Sequence, residues 1–418
     1  MCLVRLRILG MNAGKRCNKL KLGLIILLGA FMTACGKNTS DQPVLPIIEP
    51  ISEADVQTTA VEESDVYDIS DIESDDNDRQ EADTTNHDSV SVIMVGDMLL
   101  HDRIEDVSKN EDGTYDYSAI FANTRDLIEE ADIAIANEEV IIGGEELSVS
   151  GYPAFNAPYE FADALVTTGF DVICQGTNHA LDKGGKGITN CLNNWQEKYP
   201  DIGVLGIHDS AEDQNEIYTC EKNGITVAIL NYTYGTNGIA LPADMPYGVD
   251  YLSEDKVITD LKKAEEIADF TIVCPHWGTE YSLNTDASQS KWAQIFVENG
   301  ADLIIGTHPH VIEKVEWISH EATGNKALCY YSLGNYVNWT SGTGAGVSNR
   351  MVGAMASVKL SRDISGNVII SEYEAIPLVS HVTSNEDGVT VYKLSDYNEE
   401  LASQNEIIYQ APDFSYGY

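Results

Sequence analysis

The chain has 418 residues, with 67 acidic side chains against 25 basic ones and a formal net charge of −42. Such a balance argues against nucleic acid as a partner, because phosphate recognition depends on clustered Lys and Arg. A hydrophobic content of 43% is ordinary for a globular chain, so the acid excess does not signify wholesale disorder.

The charge is unevenly distributed, and each region asks for its own reading. Residues 1–35 carry Arg5, Arg7, Lys15, Arg16, Lys19 and Lys21 without an acid, then an apolar run over 22–32 and the sequence Met32-Thr33-Ala34-Cys35. A basic stretch, a short apolar core and small residues before a cysteine resemble the lipobox of a bacterial lipoprotein signal, in which Cys35 is acylated and becomes the mature N-terminus. The alternative is an uncleaved anchor, although the run falls short of the roughly 20 residues that span a bilayer. Either reading predicts export, with the chain held on the extracytoplasmic face of a bacterial cell membrane. Residues 36–88 then hold 16 acids against Lys37 and Arg79, with Pro43, Pro46 and Pro50 near the start. Such a segment cannot bury enough apolar surface to offset its chain entropy, so a disordered, self-repelling spacer is expected. Binding of Ca²⁺ or of a basic wall polymer is the other reading of that acid run.

From residue 91 the texture changes. Strands are expected at 92–95, 133–136, 172–174, 226–230, 271–274 and 303–305, with amphipathic helices at 119–130, 160–168, 187–198, 254–268 and 288–299. Short apolar strands separated by helices indicate an α/β core with buried strands. Stretches 327–332, 352–360 and 367–376 follow without strong helices and suggest added antiparallel strands. The domain is expected to span 89–383. A polar tail over 384–418 would follow, with a short helix at 395–403 packing back through Tyr392, Leu394 and Ile407.

Polar groups gather where such a fold puts its chemistry, at the C-terminal ends of strands. The strand ends lead into Gly96-Asp97, Asn137-Glu138-Glu139, Asn178-His179, His276-Trp277 and Gly306-Thr307-His308-Pro309-His310. Carboxylates, an amide oxygen and imidazoles without thiolates suit Mn²⁺, Zn²⁺ or Fe. Pro309 stiffens the turn between the two histidines, and Gly306 leaves room for close backbone approach. The five cysteines beyond Cys35 are an odd number. Cys174 and Cys274 lie in apolar strands, where a buried small hydrophobe is the expected role.

The series GDMLLH at 96–101, ANEE at 136–139, TNHALDKG at 177–184, HWGTEY at 276–281, GTHPHV at 306–311 and SLGNY at 332–336 resembles the bacterial capsule-synthesis family CapA, associated with poly-γ-glutamate. That family is in turn similar to calcineurin-like metallophosphoesterases, which implies an α/β sandwich of two mixed β-sheets flanked by helices. Carried over residue by residue, the resemblance makes Asp97, Glu138, Asn178, His276, His308 and His310 metal ligands, with Glu138 at the bridging position. It implies two divalent ions and makes His179 the catalytic general acid or oxyanion clamp, a hydrogen-bonded turn residue being the plainer alternative. The pattern departs from those motifs in lacking a His two residues after Asp97, in using Glu at the bridging position, and in placing Thr177 before Asn-His.

Around this set, Asp182 would orient the loop of His179, and Gly184 would supply a turn with positive φ. Glu280 and Tyr281 would line the substrate cleft or start a capped helix. Asn335 would sit beside the metal loops or close a turn, and His101 would approach the site or lie on the surface. Two functions remain open. One is an extracytoplasmic metal-dependent hydrolase of a phosphoester or amide in the cell envelope. The other is a non-catalytic partner of a poly-γ-glutamate synthase complex that keeps the scaffold.

Overall fold

The structure is a computed structural model that describes residues 89–340, 346–383 and 385–405. The expected signal, its lipobox Cys35, the acidic spacer and Ile407 lie outside the described residues. In chain order the first half runs β1 (Ser89–Met98), α1 (Asp102–Ser108), α2 (Ser118–Phe121), α3 (Arg125–Glu129), β2 (Ile133–Glu138), α4 (Tyr159–Thr168), β3 (Val172–Cys174), α5 (Gly184–Lys198), β4 (Gly203–Leu205), β5 (Tyr218–Lys222) and β6 (Ile225–Thr233). It continues with α6 (Glu254–Ile267), β7 (Phe270–His276), α7 (Ala287–Glu298), β8 (Leu303–Ile305), β9 (Val315–Ser319), β10 (Lys326–Tyr330), β11 (Asn335–Val337), β12 (Val352–Arg362), β13 (Val368–Val382), β14 (Val389–Lys393) and α8 (Glu399–Gln404).

The strands form two mixed sheets. The first has the order β14-β13-β12-β1-β2-β3-β4 with β11 also on β1, and the second has the order β5-β6-β7-β8-β10-β9. Strands β1 to β4 are parallel, and antiparallel β12 closes on β1. Alternate residues of each central strand serve two cores, which explains the unbroken apolar runs. In β2, Ile133 and Ile135 face the second sheet, whereas Ala134 and Ala136 face the helices. The inter-sheet core also takes Val92 and Met94 of β1 and Ile272 and Cys274 of β7. A third core, with Val273, Trp292 and Phe296, lies between the second sheet and α6 and α7. The result is the expected sandwich of two mixed sheets flanked by helices.

Two expectations need correction. The helix expected over 119–130 is broken into α2 and α3, because Thr124 turns its hydroxyl back to the Phe121 carbonyl at 3.3 Å and meets the Tyr336 hydroxyl at 2.6 Å. The domain also does not stop at 383. Val389 and Val391 are buried in β14, which pairs antiparallel with Leu378 to Val382 and extends the first sheet. The alternation in Val-Thr-Val-Tyr-Lys was the available signal.

Candidate metal centre

The site forms where strand ends of both sheets meet. Strand β1 carries Asp97 to it only because the parallel ladder with β2 slips between Val95 and Asp97. Without that irregularity Asp97 would follow Ile93 and Val95 onto the helix side; with it, Asp97 lies beside Asn137 on the inter-sheet side. Gly96 sits at the slip, and a Cβ there would meet the Gly334 carbonyl oxygen at 2.0 Å. In β2 the same parity puts Asn137 toward the second sheet and Glu138 toward the helices, and Glu139, the first residue past the strand, returns to the side of the second sheet with His276 and His308.

This corrects the bridging assignment. Glu138 is buried away from the cluster, accepting from the Val140 N–H at 3.1 Å. Its adjacent residue, Glu139, is shared by two groups of ligand atoms that each lie within 4.8 Å of one another. One is Glu139, His276 and His308; the other is Asp97, Glu139 and His310. Glu280 forms a third such group with His308 and His310, so it faces the site and is not the cap of a helix.

Supporting bonds fix the orientation of each donor. Asn137 Nδ2 donates to Asp97 Oδ1 at 2.9 Å, which turns Asn137 Oδ1 toward the Thr307 hydroxyl, a donor at 3.1 Å. With its only proton so used, Thr307 Oγ1 accepts from His276 Nδ1 at 3.0 Å. His276 Nε2 is then unprotonated, 2.8 Å from Asn178 Oδ1, while Asn178 Nδ2 donates to Asn237 at 3.3 Å. Two acceptors face each other in a buried site, an arrangement that a cation relieves. Both carboxylate oxygens of Glu139 and Nδ1 of His308 are likewise buried without a hydrogen-bond partner among the described residues. These donors fit a metal ion.

The titration of the same groups agrees. Burial, reinforced by neighbouring imidazoles, pushes His276 and His308 well below the ordinary histidine range, so both are neutral donors. Burial lifts Glu139 well above the carboxylate range, with His310 opposing and Asp97 adding to the rise. Burial also lowers His310, but Glu139 and Asp97 outweigh it and bring the imidazole up to about 9. Without a cation the cluster therefore retains protons that a metal would replace.

The other residues singled out in the sequence lie around this cluster as follows. His310 Nδ1 lies 3.0 Å from Asn335 Oδ1 and 3.1 Å from Asp97 Oδ2, so Asn335 helps to orient the His310 ring. His308 and His310 have φ of 99° and 59°, a left-handed backbone that non-glycine residues rarely adopt and that recurs at functional sites. A Cβ on Gly306 would meet the Tyr331 carbonyl oxygen at 2.2 Å, the close approach expected there. His179 Nδ1 is 2.6 Å from Asp182 Oδ2, which also accepts from the Phe155 N–H at 2.7 Å; Nε2 lies 3.9 Å from Glu139. Gly184 has φ of 60°. Thr177 ties the loop to the Glu139 carbonyl at 2.8 Å. His101 is no surface histidine: it packs edge-on against Phe155 and lines the cleft with His179, Glu280, Tyr281 and His310. Burial pushes its imidazole down to about 4.

Sequence reasoning missed Asn137, Thr307 and Arg350, and assigned no role to Glu139. Strand parity is the signal for the choice between Glu138 and Glu139. It is muted because both faces of β2 are apolar.

The family described as bacterial capsule synthesis protein PGA_cap matches residues 91–340. The PGA biosynthesis protein CapA of Bacillus subtilis (strain 168) is 28% identical over 264 residues, covering 62% of this chain and 66% of that protein. The capsule biosynthesis protein CapA of Bacillus anthracis is 26% identical over 265 residues, covering 61% and 62%. The chain thus aligns with a little under two thirds of the length of these relatives. Among solved structures, a putative 5'-nucleotidase from Staphylococcus aureus in complex with alpha-ketoglutarate aligns at 15% identity and a TM-score of 0.42, over 69% of this chain and 54% of that one. The NAD nucleotidase of Haemophilus influenzae aligns at 14% identity and a TM-score of 0.43, over 70% and 56%. With more than half of its length matched by the family, this chain belongs to the bacterial capsule synthesis proteins of the PGA_cap type.

Proposed function

We propose that the protein is a membrane-tethered, extracytoplasmic CapA-type enzyme of poly-γ-glutamate capsule synthesis or export that hydrolyses a phosphoester-like bond. The observation that carries the reading is Glu139, whose two unpaired carboxylate oxygens are shared by a triad with His276 and His308 and another with Asp97 and His310. Divalent ions held by these residues and Asn178 would supply Lewis-acid stabilisation of a developing oxyanion and lower the pKa of water. The protein's own groups supply the rest. His179, held by Asp182 through Nδ1, directs Nε2 into the cleft, where it delivers a proton to the leaving oxygen as the ester bond breaks. Asn335 and Thr307 keep the His310 and His276 rings aimed at the shared carboxylate. A lipid on Cys35 would place this chemistry at the membrane, beside synthase subunits and the envelope polymer.

The test is metal analysis of the purified full chain, followed by hydrolysis of bis(p-nitrophenyl) phosphate with added Mn²⁺, Zn²⁺ or Fe²⁺. Metal-dependent turnover is expected, abolished together with metal binding in His308→Ala and abolished with the metal retained in His179→Ala. A chain that binds no metal and turns over nothing under any of these ions would leave the scaffold role in a synthase complex as the better reading.

A further inference from the structure

Above the cluster lies a cavity of about 250 Å³ with one arginine and no lysine in its wall, Arg350. Four arginines occur among the described residues, and three face carboxylates: Arg103 with Glu386, Arg125 with Glu129 and Arg362 with Asp269. Arg350 makes no such pair among the described residues, although the chain as a whole is strongly acidic. Its guanidinium carbon lies 3.9 Å from the centre of the Tyr281 ring, Nη1 donates to Thr340 Oγ1 at 3.3 Å, and Nε is buried without a hydrogen-bond partner among the described residues. The backbone beneath it is tied to the centre, because Asn335 donates to the Arg350 carbonyl at 2.8 Å through Nδ2 while meeting His310 through Oδ1.

A guanidinium stacked on an aromatic ring is held in plane, and its remaining donors present a fork that matches an oxyanion. A permanently charged side chain in the cleft wall, with no carboxylate partner among the described residues, leaves its charge available to an anionic ligand. Glu280 does not take up that charge, since its carboxylate gathers with His308 and His310. His101, on the same wall, is held neutral by burial and adds no charge.

We propose that Arg350 is a specificity residue of this cleft, binding a second oxyanion, carboxylate or phosphate, that the substrate carries beside its scissile phosphoester. The inference rests on the hydrolase reading only for the position of the scissile group; the recognition itself is a property of binding.

The test uses three non-hydrolysable probes on the full chain with Mn²⁺, followed by calorimetry: 4-carboxybenzylphosphonate, p-xylylenediphosphonate and the isosteric 4-nitrobenzylphosphonate, which lacks the second charge. The wild type should prefer one of the doubly anionic probes over the nitro probe by about 10- to 100-fold, the range of one charge-assisted bond, and the preferred probe identifies the oxyanion. Arg350→Gln should erase that preference and Arg350→Lys should restore part of it, with unfolding curves verifying that each variant is folded. A wild type with no preference, or one that binds none of the probes, would overturn the proposal, as would a preference that survives in Arg350→Gln. Turnover of p-nitrophenyl phosphate by the wild type, measured in parallel, reports separately on the hydrolase reading.

Discussion

Glu138 and Glu139 are adjacent acids with opposite surroundings, and the difference is one of strand parity. Glu138 lies on the helix face, where burial lifts it well above the carboxylate range and so favours its uncharged form. Replacement by an uncharged isostere should then be tolerated. Glu138→Gln is expected to stay within about 1 kcal/mol of the wild type in denaturant unfolding and to keep its metal. Glu139→Gln, which removes the charge shared by both triads, should weaken metal affinity at least ~10-fold by calorimetry. Equal metal affinity in the two variants would overturn the assignment. Asn137 and Thr307 illustrate the same scale: a chain of single hydrogen bonds from Asp97 to His276 sets which imidazole nitrogen faces the cluster.

At the scale of elements, the chain must leave the first sheet after β4 and enter the second at β5. His208 guards that crossing, with Nδ1 3.1 Å from Asp213 and Nε2 2.8 Å from Asp250. Burial alone would lower this imidazole, but the bonds to Asp213 and Asp250 prevail and raise it to about 9. A folded-state value above the ordinary one means that the stabilisation is fully present below about pH 6.5 and is lost as pH rises through about 9. The wild type should accordingly lose on the order of 3 kcal/mol between those pH values relative to His208→Gln, measured by urea unfolding. Parallel stability curves for the two proteins would remove His208 from this role. The elements legible beforehand were those with long periodic patterns, such as α6 and α7, and the wholly apolar β3 and β8, whereas β4 (Gly-Val-Leu) and β11 (Asn-Tyr-Val) are equally short and lack an unbroken apolar run.

For the whole molecule, the decisive fact is that the donors come equally from the two sheets. Asp97, Glu139 and Asn178 lie at or beyond strand ends of the first, and His276, His308 and His310 at or beyond strand ends of the second. Asn231 joins the two independently, accepting from the Gly176 N–H at 2.7 Å and donating to the Cys274 carbonyl at 2.8 Å. A cation that binds this composite site binds the folded state and not the unfolded one. Mn²⁺ at about a hundred times its dissociation constant should raise Tm by roughly 4 °C over a chelated sample. His308→Ala should show little of that shift; a full response in the variant would place the stabilising ion elsewhere.

The sequence by itself determined the layered α/β class, the strand ends that bear the chemistry and the family resemblance, because apolar periodicity and motif spacing are local properties of a chain. Of the six donors named above it singled out Asp97, Asn178, His276, His308 and His310, and it took Glu138 in place of Glu139. It could not choose between Glu138 and Glu139 while both faces of β2 are apolar, nor foresee that a slip at Gly96 would carry Asp97 across the sheet. Only the tertiary structure decided those matters, along with the place of Arg350 at the cleft. Orientation around a shared centre depends on ladder register and on contacts between residues far apart in the chain, and neither is written in any single segment.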